Sequence, residues 1–199
     1  MVIYGYYYAA ALLAGAGAVT YLTNWYFALP FYILAAFCLY FFRDPNREIP
    51  AGPVAVSPAD GKVVVVKPEN GGQRISIFLN VFDVHVNRTP IPGRITDIHY
   101  QKGQFLVASK EAASHSNEQN VITVDGPLGR VQFKQIAGLI ARRIICYKKP
   151  GDTVTAGERV GLIKFGSRVD VQLDLDWEVT VRAGQRVSAG SSVIARKKS

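Results

Sequence analysis

The first 42 residues contain no charged side chain, and the earliest charge is Arg43. A soluble domain carries about a quarter charged residues, so this stretch does not read as the surface of one. Other scarcities also exclude functions. The chain of 199 residues has 2 cysteines, and Cys38 lies in the uncharged stretch while Cys146 is far from it. They make no metal-ligand spacing and no disulfide framework, which suits a reducing compartment. No metal is expected. Neither G-x-x-x-x-G-K-[ST] nor G-x-G-x-x-G occurs, so no phosphate-cradling loop of the P-loop or Rossmann kind is present. The G-x-S-x-G elbow of α/β hydrolases is missing as well.

Two apolar runs, 4–22 and 25–42, fill the uncharged stretch on either side of Thr23-Asn24. Each approaches the roughly 20 residues that a spanning helix needs. A secretory signal would have a basic start and a polar sequel; here the second run comes at once. Tyr4, Tyr6, Tyr7, Tyr8, Trp25, Tyr26, Tyr40, Phe41 and Phe42 gather near the run ends, where amphipathic rings favour a membrane interface. Pro30 marks a first turn or a kink. Arg43 and Arg47 come next, so the positive-inside rule puts the remainder of the chain in the cytoplasm. The expectation is a hydrophobic helical hairpin over 1–42 at the cell membrane, spanning or half-inserted, then a polar linker over 43–53.

The net charge of +8 falls wholly after Phe42. A basic domain can meet nucleic acid or anionic lipid; with an anchor in the same chain, the anionic membrane surface is the simpler partner. From 54 onward short β-branched runs alternate with Gly, Pro, Asn and Asp. Strands are expected near 54–56, 62–67, 74–81, 95–100, 120–124, 129–135 and 143–148, with a turn or two of helix in 106–114. Pro150-Gly-Asp-Thr-Val-Thr-Ala-Gly157 is echoed by Ala183-Gly-Gln-Arg-Val-Ser-Ala-Gly190. Such units resemble the hairpins of biotinyl- and lipoyl-carrier domains. The expected fold is therefore mainly β over 54–199, with biotinyl/lipoyl-like hybrid character at its C-terminal end.

Gly161-Leu-Ile-Lys-Phe-Gly-Ser-Arg-Val-Asp-Val171 organises the rest. It reads as one strand interrupted by Gly-Ser, where glycine marks a bulge, a bend or a close approach. As a whole it resembles the self-processing site of the phosphatidylserine decarboxylase proenzymes, in their short form. The resemblance extends to Ser57-Pro-Ala-Asp-Gly-Lys-Val63, Asn80-Val-Phe-Asp-Val-His-Val-Asn-Arg88 and His115-Ser-Asn-Glu-Gln-Asn120. It implies that Ser167 attacks the Gly166 carbonyl, that His85 activates the serine and that Asp60 orients His85. It also implies a pyruvoyl group made from Ser167, and a heterodimer of 1–166 with 167–199. The implied activity is decarboxylation of phosphatidylserine to phosphatidylethanolamine.

Three further residues are candidates for substrate binding. His115 lies in a polar cluster, and Arg142 and Arg143 offer guanidinium forks for phosphate or carboxylate. Longer family members place two histidines three residues apart, and Phe82 stands where the first would be. Asp83 and His115 are the polar groups left to donate a proton during decarboxylation. His99 has no partner signal and reads as structural. The rival of a different class is a membrane-tethered carrier or adaptor with Lys164 as its modified lysine. A serine hydrolase is a third reading.

Overall fold

The protein is described from a computed structural model, over residues 1–139, 143–164 and 166–198. It divides into two compact units, Met1–Asn46 and Arg47–Ser199.

The first unit is a helical hairpin, α1 (Ile3–Leu22) and α2 (Trp25–Phe41). Thr23 closes α1 by donating its hydroxyl to the Val19 carbonyl at 2.7 Å, and extended Asn24 starts α2. Along the body of the hairpin the buried residues are small, Gly5, Ala9 and Ala16 on α1 and Ala28 and Ala35 on α2; the bulky Phe41 is buried only at the end of α2. A Cβ on Gly5 would stand 2.7 Å from Phe42 Cβ, so the chain ends of the hairpin meet only because residue 5 lacks one. The large apolar side chains, Leu13, Phe27, Leu29, Ile33 and Leu34 among them, face outward. Small residues inside and large ones outside is the arrangement of helices that pack in lipid, where burying bulk gains nothing. At 1.5 Å per residue the 17 residues of α2 reach about 26 Å, against a hydrocarbon core of about 30 Å. Among the described residues no helix is both long and apolar enough to cross a membrane.

The second unit is mainly β. Its strands are β1 (Val54–Val56), β2 (Gly61–Glu69), β3 (Gly72–Leu79), β4 (Val86–Arg88) and β5 (Gly93–Gln101). A short helix, α3 (Ala113–Ser116), precedes β6 (Gln119–Gly126), β7 (Gly129–Ile136), β8 (Arg143–Cys146) and β9 (Thr153–Val154). Then come β10 (Arg159–Lys164), β11 (Ser167–Asp174), β12 (Trp177–Val179), β13 (Arg186–Val187) and β14 (Val193–Lys197). One curled antiparallel sheet has the order β13-β2-β3-β11-β7-β6-β5-β9; β1-β14-β12 and β4-β10-β8 form two smaller sheets.

The curl brings the ends of the large sheet together. Its edge strands β9 and β13 are the corresponding parts of the sequence repeat, and the repeat holds in detail. Gly151 and Gly184 have φ of 97° and 93°, and Gly157 and Gly190 have 72° and 77°. A Cβ on Gly157 would lie 3.5 Å from the Gly190 Cα and 3.1 Å from Ile49 Cγ1, so Ile49 lies over the seam between the repeats. Inside the curl, alternate residues of the central strands form the apolar core: Ile75, Ile77 and Leu79 of β3, Val169, Val171 and Leu173 of β11, and Val131 and Phe133 of β7.

Candidate active site

The expectation of one bulged strand across Gly161–Val171 is corrected. β10 ends at Lys164 in one sheet, and β11 begins at Ser167 in another. The chain changes sheets between them, and Gly166 makes the change with a left-handed φ of 48°. A residue with a Cβ pays roughly 1–2 kcal/mol for that conformation. Nothing lies within 4 Å of where its Cβ would be, so glycine is needed here for backbone freedom and not for room.

Ser167 is fully buried, and its Oγ has no hydrogen-bond partner among the described residues. Leaving a buried hydroxyl unsatisfied costs about 1–3 kcal/mol. The ladder holds it there regardless, because Ser167 pairs with Leu79 of β3 and the next residue, Arg168, with Ile136 of β7.

His85 is brought to the same crossing. Leu162 pairs with Val86 and Ser167 with Leu79, so the loop from Asn80 to His85 connects the partner of β10 to the partner of β11. The His85 carbonyl accepts from Ile163 N at 3.4 Å. Its Nδ1 lies 2.9 Å from the Asp83 carbonyl oxygen, which can only accept. A neutral imidazole in that setting carries its proton on Nδ1 and keeps the Nε2 lone pair, the form a general base requires. The loop is fixed by Asp83, whose carboxylate accepts from Asn80 N at 2.9 Å and from Arg186.

Asp60 was expected to orient His85. In the structure its carboxylate instead accepts from Arg47 with both oxygens, at 2.9 and 2.8 Å, and from the Ala189 N–H at 2.8 Å. Those bonds join the start of the β unit to its second repeat. His115 also stands apart from the serine. It is exposed on α3, and its ring nitrogen and the carboxylates of Glu69 and Glu111 lie within 4.8 Å of one another. Lys67 and Arg74 already neutralise those carboxylates. Arg143 is exposed at the start of β8; Arg142 lies outside the described residues. Lys164 is only 7% exposed at the end of β10, which is no place for a carrier lysine that must swing between partners.

The sequence reading missed a second layer. On the face of β3 and β11 opposite the core, Arg74, Ser76, Arg168 and Asp170 are all buried. Asp170 accepts from Arg168 Nε at 2.6 Å, from Arg74 Nη1 at 3.1 Å and from Ser114 Oγ. Ser76 Oγ accepts from both arginines, at 3.2 and 2.7 Å. The segment that covers this face is tied to it, because Arg168 donates to the Lys110 carbonyl at 3.2 Å and Glu111 pairs with Arg74 and Lys67. Burial alone would raise the Glu111 carboxyl. Hydrogen bonds from Lys67 and Arg74 and the charges of Arg74 and Arg168 outweigh that and hold it at about 2.

Beside this layer, on the same face, is an apolar pocket of about 290 Å³ lined by Phe78, Asn80, Val81, Val107, Ala108, Leu139 and Gly166. Leu139 and Val107 at its rim are 55% and 41% exposed, and Phe82 in the adjoining loop is 63% exposed. A larger, more open depression of about 770 Å³ along Val179–Gln185 holds none of the candidate residues.

A buried serine after a left-handed glycine, a histidine that keeps its Nε2 lone pair on the adjoining loop and an apolar pocket at the glycine together form a candidate serine-nucleophile site open to an apolar molecule. Comparison with known proteins identifies the family. The family model described as phosphatidylserine decarboxylase matches residues 34–195. The phosphatidylserine decarboxylase proenzyme of Solibacter usitatus is 67% identical over 193 residues, covering 97% of this chain and 95% of that protein. Proteins of the same name from Magnetococcus marinus and Nitratidesulfovibrio vulgaris are 42% and 47% identical, covering 94% and 87% of this chain and 91% and 83% of theirs. The chain belongs to the phosphatidylserine decarboxylase family.

Proposed function

We propose that this protein is a proenzyme that cuts itself between Gly166 and Ser167 and then decarboxylates phosphatidylserine to phosphatidylethanolamine. The observation that carries the reading is the buried, unsatisfied Ser167 Oγ next to a left-handed glycine. The Oγ bonds to the Gly166 carbonyl carbon and gives its proton to His85 Nε2. The amide C–N bond then breaks, and the nitrogen takes a proton, which leaves an ester. Removal of the Cα proton of residue 167 expels the Gly166 carboxylate, and water releases ammonia from the dehydroalanine to leave a pyruvoyl end.

The residues present fit that group, since it arises in place at the first position of β11. Its ketone supplies an electrophile for the substrate amine and a sink for the electron pair left as carbon dioxide departs. The chain's own residues do the remainder. His85 holds or returns a proton at Nε2, Phe78, Val107 and Leu139 line an apolar approach suited to a lipid, and Asp83 keeps the 80–85 loop in position. The exposed Arg143, with Arg142, is in this reading the contact for the anionic headgroup, and His115 a more distant one. Residues 167–199 stay bound after the cut, because β11 is hydrogen-bonded between β3 and β7 on both sides. The paired repeats support a carrier-like hybrid ancestry for this end of the fold.

We place the hairpin 1–42 half-inserted in the cell membrane, with the β unit on the cytoplasmic side against anionic lipid. Its outward bulk and small-residue interior support this, as do Arg43 and Arg47 after it.

The test is a gel for chain cleavage beside an assay of carbon dioxide release. Ser167→Ala should remain one chain without activity. His85→Ala should cut slowly, general-base assistance being worth roughly 10²–10⁴ in rate. His115→Ala should cut to completion. Cleavage of Ser167→Ala at the same bond would sink the proposal.

A further inference from the structure

Two glycines face each other at the crossing, and they are glycine for opposite reasons. The ladder between β7 and β11 ends with Ile136 opposite Arg168. Two residues further along each strand, the same antiparallel register sets Gly138 opposite Gly166. Gly166 needs its left-handed φ and has open space around it. Gly138 has no such backbone requirement; what it lacks is room. A Cβ built on it would overlap the Gly166 carbonyl oxygen, well inside the 3.0 Å that real Cβ atoms respect. It would also stand 3.2 Å from the Gly166 carbonyl carbon and 3.1 Å from Ala108 Cβ. The oxygen is backbone and cannot swing aside as a flexible side chain would.

We infer that Gly138 is a positioning residue for self-cleavage, the bare wall against which the scissile carbonyl oxygen rests. The inference builds on the proposed cut at Gly166–Ser167. A peptide can be attacked only if its carbonyl carbon is presented to the nucleophile, and contact of the oxygen with the Gly138 Cα fixes the plane of that carbonyl. The wall is itself held by Asn117, which is fully buried. Asn117 Nδ2 donates to the Ala137 carbonyl at 2.8 Å and to the Leu106 carbonyl at 2.8 Å, and its Oδ1 accepts from Leu106 N at 2.9 Å. Ala137 N donates in turn to the Glu118 carbonyl at 2.9 Å. The polar 115–120 cluster thus gains a role distinct from substrate contact: one of its members anchors the backbone behind the reacting bond.

The experiment tracks cleavage of full-length Gly138→Ala after synthesis, with and without hydroxylamine, which severs esters. A misplacement of about 1 Å costs on the order of 10²-fold in rate, so cutting should slow by about that factor. Hydroxylamine should release no extra fragment, because the block precedes the ester. Protein that does finish should decarboxylate normally per pyruvoyl group. In the uncut Ser167→Ala background, Gly138→Ala should change the melting temperature by only a few degrees, about what 1 kcal/mol does in a domain of this size. Wild-type cutting speed, an ester that hydroxylamine traps, or a large loss of melting temperature each overturns the inference. If Ser167→Ala itself still splits, the fault lies with the processing scheme and not with the wall.

Discussion

Asp170→Asn should unfold the β unit more easily than any other single change that keeps a side chain's shape. The carboxylate is 2% exposed and receives Arg168 Nε and Arg74 Nη1, on two arginines that are 0% and 2% exposed. The amide keeps one acceptor and turns an N–H₂ toward the other donor, so one guanidinium loses its counter-charge in the interior. Breaking a buried pair from one side costs about 3–5 kcal/mol. Glu111 still pairs with Arg74 and lies 3.6 Å from Arg168, and being half exposed it can adjust, so the lower end, about 3 kcal/mol, is expected here. With a urea slope of about 1–3 kcal/mol per molar, the midpoint should fall by roughly 1–3 M. The assay is equilibrium unfolding of the full chain in detergent, in a Ser167→Ala background so that it stays in one piece. Trp25→Phe leaves Trp177, 1% exposed, as the only tryptophan and a reporter for the β unit alone. Adding Arg74→Met removes the stranded charge and should recover part of the loss. A cost under about 1 kcal/mol, the worth of an exposed pair, would refute the argument, as would a double variant no better than the sum of the two single changes.

Two other outcomes are expected. Glu111 has a folded pKa of about 2, below the ordinary carboxylate value, so its pairing contributes fully above about pH 4.5 and is lost only as the pH falls toward 2. The urea midpoint of wild type should therefore exceed that of Glu111→Gln at neutral pH and converge with it between pH 4.5 and 2; a gap independent of pH would mean the charge does nothing. The full-length protein should sediment with membranes and resist a high-salt wash, whereas a chain lacking 1–42 should be largely released, its residual binding to anionic vesicles salt-sensitive. Complete release of the full chain by salt alone would rule out the anchor.

The two hairpin helices and most strands were legible because each obeys a local rule, whereas the short helix expected within 106–114 is α3, displaced to Ala113–Ser116. The uncharged runs became α1 and α2 within a residue or two, and 54–56 and 129–135 became β1 and β7 almost unchanged. The repeat was legible because Gly151, Gly157, Gly184 and Gly190 each serve a left-handed turn that sequence must encode as glycine. What failed was whatever depends on a distant covering segment. Arg74, Ser76, Arg168 and Asp170 alternate with apolar residues and read as the wet face of a sheet. They are dry because residues 105–117 fold over them, and nothing in the strands themselves announces that lid. The split of Gly161–Val171 into two sheets was hidden for a related reason, since a glycine in a strand-like run signals either a bulge or a departure, and only the partners of each half decide. Asp60 had the right motif, yet its carboxylate is engaged by Arg47, a residue read as part of a linker.

The placement of β11 in the middle of the large sheet bears on how long the finished protein lasts. Before the cut, β10 and β11 are joined through the chain, and refolding after an opening is a one-molecule event at any dilution. If Gly166 and Ser167 are parted as proposed, a strand hydrogen-bonded on both edges would belong to a separate fragment of 33 residues. Its loss would open the sheet at the centre and expose Leu79, Phe133, Val169 and Val171 together. Recovery would then need two molecules to meet, in competition with aggregation of the exposed edges. The mature enzyme would accordingly be protected by the slowness of its opening and not by its equilibrium stability, and its working life would be set by an unfolding rate.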